Sequence, residues 1–274
     1  VRMAVQSESY GDVYGVGPTA PRILKSGATA SGSQVHTFDL DRTLLEQFLT
    51  TPSLRGADII KASGHLYHTV FNIWGNEVLP GSNYVANKDT WGSEIKDKDG
   101  VPQHTTDPTV GTADLHQHSF CGSWYQPPNF YGANKGFADD IYMMAEEWTW
   151  AQRLEPAPST IGLNTVTVDI AGKAAHVTPA IGQSGYEKLM PLNPQSTEHV
   201  VIVAAGYNYG YEPAPLKVYV GVKGKNADGT AGTGFLARNG LAFGKLYGLA
   251  ISADTVTALK LDLANKYSKT DFME

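Results

Sequence analysis

A single cysteine, Cys121, stands among 274 residues, which excludes an internal disulfide and leaves one thiol to be accounted for. Charge is also scarce: charged residues make up 18% of the chain, against the quarter or so usual in soluble domains. The 21 Lys+Arg against 27 Asp+Glu give a formal net charge of −6, with no Lys/Arg run. That composition lacks the positive footprint that a nucleic-acid backbone requires, and it disfavours anionic membrane surfaces for the same reason. No apolar run approaches the roughly 18 residues of a membrane span. The opening VRMAVQSESYG lacks the charged-then-apolar layout of a signal peptide. Nucleophile elbows and Walker-type phosphate loops are missing, since GQSGY does not have the G-x-S-x-G spacing, and no glycosylation sequon occurs.

What is present is a β-forming composition. Hydrophobic residues at 42% allow a core, and 29 Gly and 15 Pro with 14 Tyr, 9 Phe and 5 Trp suggest short strands joined by turns. Period-two or short apolar segments predict strands at QVHTFDLD (34–41), HLYHTVFNIW (65–74), DDIYMMAEEWTW (139–150), NTVTVDIAG (164–172), HVVIVAAGYNYG (199–210) and LKVYVGVKG (216–224). Turn-rich stretches such as KDKDGVP, YQPPNFYGANKG and KNADGTAGTG separate them. Two segments have helical character. LDRTLLEQFL (40–49) is assigned to a strand with its return turn, and SADTVTALKLDLANKYSK (252–269) to a helix capped by Ser252 or Asp254. The absence of βαβ alternation points to a sandwich or a propeller built from hairpins and meanders. No linker or composition shift divides the chain, so residues 1–274 are expected to form a single domain.

VHTFDLDRTLLEQFL and TVTVDIAGKAAHVTPAIG both read as strand, Asp, turn, strand, in the manner of the outer half of a propeller blade. Three longer stretches are more specific: SFCGSWYQPPNFYGANKGFADDIYMMAEEW, AHVTPAIGQSGYEKLMPLNPQSTEHVVIVAAG and LKVYVGVKGKNADGTAGTGFLARNGLAFGKLYGL. Together they resemble the secreted bacterial and cyanobacterial β-propeller proteins related to PhoX-type alkaline phosphatases, most nearly the uncharacterised members. The shared pattern is a Phe-Cys segment, a Gly-Phe-x-Asp-x-Ile-Tyr strand ending in Glu-Glu, a Tyr-Val-Gly-x-Lys strand and Arg-Asn-Gly-Leu-x-x-Gly-Lys-Leu-Tyr. Glu8 falls at the carboxylate of the family's Asn-His-Glu. Two departures stand out. That motif is here Gln6-Ser7-Glu8, and the family's Gly-Asp-Asp is Gly206-Tyr207-Asn208, which removes two carboxylates. The resemblance implies an all-β propeller lacking terminal parts of the family fold, since family chains run on beyond both ends.

It also implies a secreted or periplasmic, calcium-dependent phosphoester hydrolase, with iron or another transition metal as a further ion. The residue types support the same chemistry. Glu8, Glu146, Glu147 and Glu187 lie on or beside apolar β segments, where carboxylates rarely stay unless paired or metal-bound. Oxygen ligands suit Ca²⁺, and a thiolate from Cys121 suits iron or zinc better. Arg238 and Lys223 are the candidate catalytic residues that offset the charge of a phosphoester substrate. Asp114, His116 and His118 alternate and share a strand face as a second candidate metal group, whereas His65 and His68 are expected on different faces. KDKDGVP (96–102) has the start of a calcium loop without its closing ligand and reads as a surface turn. The competing function is a non-catalytic propeller scaffold that holds a protein partner through the aromatic loop 124–131, with Trp124, Tyr125, Phe130 and Tyr131 as anchors. A sugar-binding sandwich fits the aromatic content but not the ordered motifs.

Overall fold

The computed structural model of the chain describes residues 1–8, 22–80, 114–117, 120–147, 164–182, 184–206 and 216–248. The segments 96–102 and 252–269, together with His118, Tyr207 and Asn208, lie outside the described residues. Within them the chain is all-β, as the composition implies. Fifteen strands fall into four sheets, accompanied by three short helices and a one-turn 3-10 helix at Pro179–Ile181. Among the described residues no sheet closes into a barrel or a propeller, and no helix is long and apolar enough to cross a membrane.

Two sheets are small. One joins β1 (Arg2–Gln6), β4 (Val35–Leu40) and β5 (Ile60–His65), all antiparallel. The other joins β2 (Arg22–Ile23), β3 (Thr29–Gly32) and β7 (Leu115–Gln117), with β3 and β7 parallel. The larger two are meanders. β8 (Phe120–Gln126), β9 (Ile141–Glu146), β10 (Thr165–Asp169) and β11 (Ala174–Val177) run up and down, and β6 (Thr69–Phe71) adds parallel to β11. β12 (Tyr186–Leu192), β13 (His199–Gly206), β14 (Leu216–Val222) and β15 (Gly244–Gly248) repeat that path. The hairpin expected at TVTVDIAGKAAHV is β10–β11, and the KNADGT turn closes through the Lys225–Ala231 bridge.

The five-stranded sheet is covered on both faces, which explains the unbroken apolar run of β9. Tyr142 and Met144 face one core with Leu24, Val35, Tyr67, Val70, Leu115 and Phe120. Ile141, Met143 and Ala145 face the other, with Tyr186, Leu189, Ile202, Ala204 and Tyr219 of the second meander. Each of the larger aliphatic side chains taken from water contributes about 1.5–3 kcal/mol, so the two meanders are held face to face by the odd positions of β9.

Two expectations are corrected. The segment after Leu40 is not a return strand. Asp41 accepts a hydrogen bond from Leu44 N at 3.0 Å and caps α1 (Arg42–Gln47), so a good cap and Leu-rich helix formers override the apparent alternation. HLYHTVFNIW is likewise not one strand. It breaks at Leu66–His68, where His68 N donates to Lys173 O and His68 O accepts from Lys25 N, each at 2.8 Å. Those two bonds take His68 out of any sheet ladder and turn the chain from β5 into β6.

Candidate metal centre

Two β-bulges place the acids and the thiol. On β8, Cys121 and Gly122 lie between the pairs Phe120–Glu146 and Ser123–Met144 and so oppose the single residue Ala145. On β12, Glu187 is the extra residue between Tyr186 and Lys188. A bulge frees one residue from the ladder and re-aims its side chain. The two bulges face each other: a Cβ built on Gly122 would lie 2.5 Å from the Glu187 carbonyl carbon and 2.8 Å from Lys188 N. Only glycine allows strands from different sheets to approach this closely.

Glu8 arrives from β1 through a pair of anchors. The Gln6 side-chain amide donates to Phe120 O at 2.9 Å and to Cys121 O, while its Oε1 accepts from the Tyr142 hydroxyl at 3.0 Å. Ser7 N donates to Gln34 O at 2.8 Å, and Ser7 Oγ accepts from Gln34 N at 3.0 Å. Gln6 and Ser7 therefore fix Glu8 over β8. Glu147 follows the last residue of β9 and is 9% exposed.

The ligand atoms of Glu8, Cys121 and Glu147 all lie within 4.8 Å of one another. Glu187 is close enough to act on Glu147 and Cys121. Burial and then the Glu187 and Glu8 charges push the Glu147 carboxyl up to about 7. Burial and the charges of Glu8, Glu147 and Glu187 push the Cys121 thiol up to about 11. Like charges crowded in a poorly solvated place retain protons in the absence of a cation, and a cation reverses both shifts. Ligand atoms of a tetrahedral first-row metal lie about 3.5 Å apart, so the three atoms would have to draw together to take one up. Oxygen ligands of Ca²⁺ span up to about 5 Å, so the spacing admits that ion as it stands, and the thiol favours the softer one.

Glu146 does not join the cluster. It is 2% exposed and turned into the sheet, where its Oε2 accepts from Asn164 N at 3.0 Å and Asn164 Nδ2 at 3.2 Å. Adjacent residues at the end of a strand point to opposite faces, so Glu146 and Glu147 separate. The two candidate catalytic cations are also elsewhere. Arg238 Nε donates to Asp139 Oδ2 at 2.6 Å, and its guanidinium stands 5.5 Å from the Phe235 ring centroid. Asp139 precedes β9 and Glu147 follows it, so six strand residues, about 20 Å, lie between them. Lys223 Nζ donates to Asn134 O at 2.9 Å from just beyond β14, and His199 pairs with Val222 at that end of β13. Glu187 lies at the opposite end, next to the Tyr186–Gly206 pair. Arg238 and Lys223 thus brace the far ends of the two meanders.

Asp114 is occupied by Thr29, whose N and Oγ1 donate to its Oδ2 at 2.8 and 3.0 Å. In the aromatic loop, Tyr125 and Phe130 are 56% and 57% exposed. Trp124 packs against the core instead, and the Tyr131 hydroxyl donates to Pro191 O at 2.6 Å. Sequence reasoning missed Gly122, whose only signal was its place after Cys121, and the His36–His65 cross-strand pair with ring centroids 5.0 Å apart.

No family model, curated protein or solved structure matches this chain.

Proposed function

We propose that the chain is a metal-dependent phosphoester hydrolase of the PhoX-like class, with Glu8, Cys121, Glu147 and Glu187 as the residues that hold the metal. The observation that carries this reading is the convergence of three carboxylates and the only thiol where two bulged strands meet. A thiol among carboxylates suits iron or another transition metal, and a neighbouring Ca²⁺ is the further ion the resemblance suggests. A bound metal would polarise a phosphoryl oxygen and lower the pKa of its water. Two consecutive meanders packed face to face support a propeller as the complete architecture, and a secreted or periplasmic location belongs to the same proposal.

One observation favours the competing scaffold function. Arg238 and Lys223 are committed at the far ends of the sheets, so neither meets a phosphate held at the cluster. Elemental analysis by plasma mass spectrometry, paired with p-nitrophenyl phosphate turnover before and after EGTA, separates the two. Stoichiometric transition metal with chelator-sensitive turnover supports the hydrolase, and metal that is absent in Cys121→Ser and Glu147→Gln places it at the cluster. Bound metal without turnover leaves the scaffold, and no bound metal overturns the metal centre itself.

A further inference from the structure

The four-stranded sheet β12–β15 has one face filled and one face open. Leu189, Ile202 and Tyr219 point inward and are fully buried in the core they share with Ile141 and Met143 of the first meander. Directly paired residues lie on the same face of a sheet. The register therefore sets Met190, Val203, Val218 and Tyr247 in one row on the opposite side, and Leu192, Val201 and Val220 in the next. None of these side chains belongs to either core cluster of the described residues. Met190, Leu192 and Tyr247 are 41%, 39% and 49% exposed, and the four valines are half-buried. An antiparallel sheet that faces water carries polar residues at such positions. Here Lys188 and Lys245 stand only at the ends of rows, and the centre is apolar, the mark of a surface that is covered by something.

We propose that the segment 252–269 of this chain docks on the open face as an amphipathic helix. Nothing in this depends on the metal centre. The segment lies outside the described residues, and its sequence is that of a helix capped by Ser252 or Asp254. Val256, Leu259, Leu263 and Tyr267 recur at intervals of three, four and four and so form one apolar stripe. Its position in the chain selects this face. β15 is the outer strand of the sheet, carries Tyr247 on the open side and ends at Gly248. Four residue steps from Gly248 to Ser252 span at most about 14 Å, so the segment starts beside a sheet whose inner side is already taken. Size selects the occupant. Four strands about 4.8 Å apart and three rows about 6.8 Å apart make a face of about 400 Å². That is half of the roughly 800 Å² each partner buries in a stable complex, so the face is too small to hold a second copy firmly. A helix of 18 residues, about 27 Å long, spans it. A tethered segment also needs less area, because the link replaces a bimolecular encounter with an effective concentration in the millimolar range.

Oxidation of the full chain by dilute hydrogen peroxide, read at each methionine by peptide mass spectrometry, tests this. Met190 reports on the open face and Met3 of β1 is the internal reference, since at 41% and 44% exposure the two oxidise alike when neither is covered. The expected result is a Met190 rate about fivefold or more below that of Met3 in the parent chain, rising to near parity in Leu259→Asp and in Leu263→Asp. Leu261→Asp, on the opposite side of the helix from the stripe, should keep the protection. Met143 and Met144, both fully buried, stay unoxidised as long as the fold is intact. Where they react in an Asp variant, the milder Leu263→Ala takes its place, with a partial loss of protection expected. Equal rates at Met190 and Met3 in the parent chain overturn the proposal. Protection that survives every stripe variant overturns it too, and protection that fades on dilution assigns the face to a second copy instead.

Discussion

Replacing Gly122 with alanine tests the geometry on which the metal centre depends. The added Cβ would stand 2.5 Å from the Glu187 carbonyl carbon and 2.8 Å from Lys188 N, where ordinary contact begins at 3.4 Å. The atoms it meets are backbone, locked by the β12–β13 ladder through Lys188–Ala205 and Leu189–Ala204, so no rotamer change relieves the overlap. β8 and β12 must separate by most of an ångström or tilt about their bulges. Overpacking of this kind costs about 1–3 kcal/mol, and a rigid neighbour places it at the upper end. For a chain of this size that lowers Tm by about 6–10 °C. Gly56→Ala in α2 (Gly56–Ile59) is the control, because nothing lies within 4 Å of its added methyl. Urea and thermal unfolding of both variants read the difference, and metal content should fall in Gly122→Ala alone as Glu187 moves away from Cys121. Stability of Gly122→Ala within about 0.5 kcal/mol of the parent would refute the close approach of the two bulges, and with it the cluster.

Three further outcomes are expected. In metal-free protein Glu147→Gln removes a charge and a hydrogen-bond partner that help hold the Cys121 thiol up at about 11, so iodoacetamide alkylation at about pH 8 should accelerate several-fold; an equal or slower rate contradicts the contact. His176 is stacked between Phe71 and Phe235 at centroid distances of 4.6 and 4.8 Å, and burial, outweighing the opposing Asp169, lowers it to about 4. The unfolded chain binds that proton from about pH 6.5, so stability falls between about pH 6.5 and 4 and stays lost below, by about 2 kcal/mol after allowance for solvent; a His176 ring resonance titrating near 6.5 would overturn this. Asn239, fully buried, accepts from Ala138 N and Asp139 N and donates to Asp139 Oδ2 and Phe235 O. Asn239→Ala should therefore cost about 2–4 kcal/mol, whereas Arg238→Ala should leave metal content unchanged; equal and small effects on stability, or metal lost with Arg238, would contradict the bracing role.

The strands were legible where burial is one-sided or where turn residues bound an apolar run. NTVTVDIAG (164–172) and HVVIVAAGYNYG (199–210) carry unbroken β-branched runs, and β10 (Thr165–Asp169) and β13 (His199–Gly206) lie within them. The helix α1 was not legible, because it buries no side chain and marks no core face, with Leu45 in it and Phe48 and Leu49 just after it exposed. Asp41 was the usable signal, three residues before the Leu44 N that it caps. The break at Leu66–His68 was hidden for a different reason. Its cause is a pair of backbone bonds to Lys25 and Lys173, distant in sequence, and no local pattern encodes them. The packing of one sheet on the next is likewise a relation between sheets, on which strand periodicity is silent.

At the site, residue chemistry and residue position behaved differently. The argument that carboxylates beside apolar strands need a partner selected Glu8, Glu147 and Glu187 with Cys121, and the same argument selected Glu146, whose partner is Asn164. Chemistry alone cannot separate two adjacent glutamates, because what divides them is the alternation of the strand on which they end. Arg238 and Lys223 were chosen for charge, and each has a neutralising or hydrogen-bonding partner of its own at the far end. The two bulges decide the matter. A regular β8 and a regular β12 would keep Cys121 and Glu187 in their ladders, and the insertion of one extra residue in each turns both side chains into the shared space. Gly122 then permits the contact that brings the strands together. The sequence cost of this arrangement is one unpaired residue per strand and one missing side chain, and such features leave no period to detect. A site made this way is therefore found by asking where ladders from two sheets slip at the same level, a question that only the register answers.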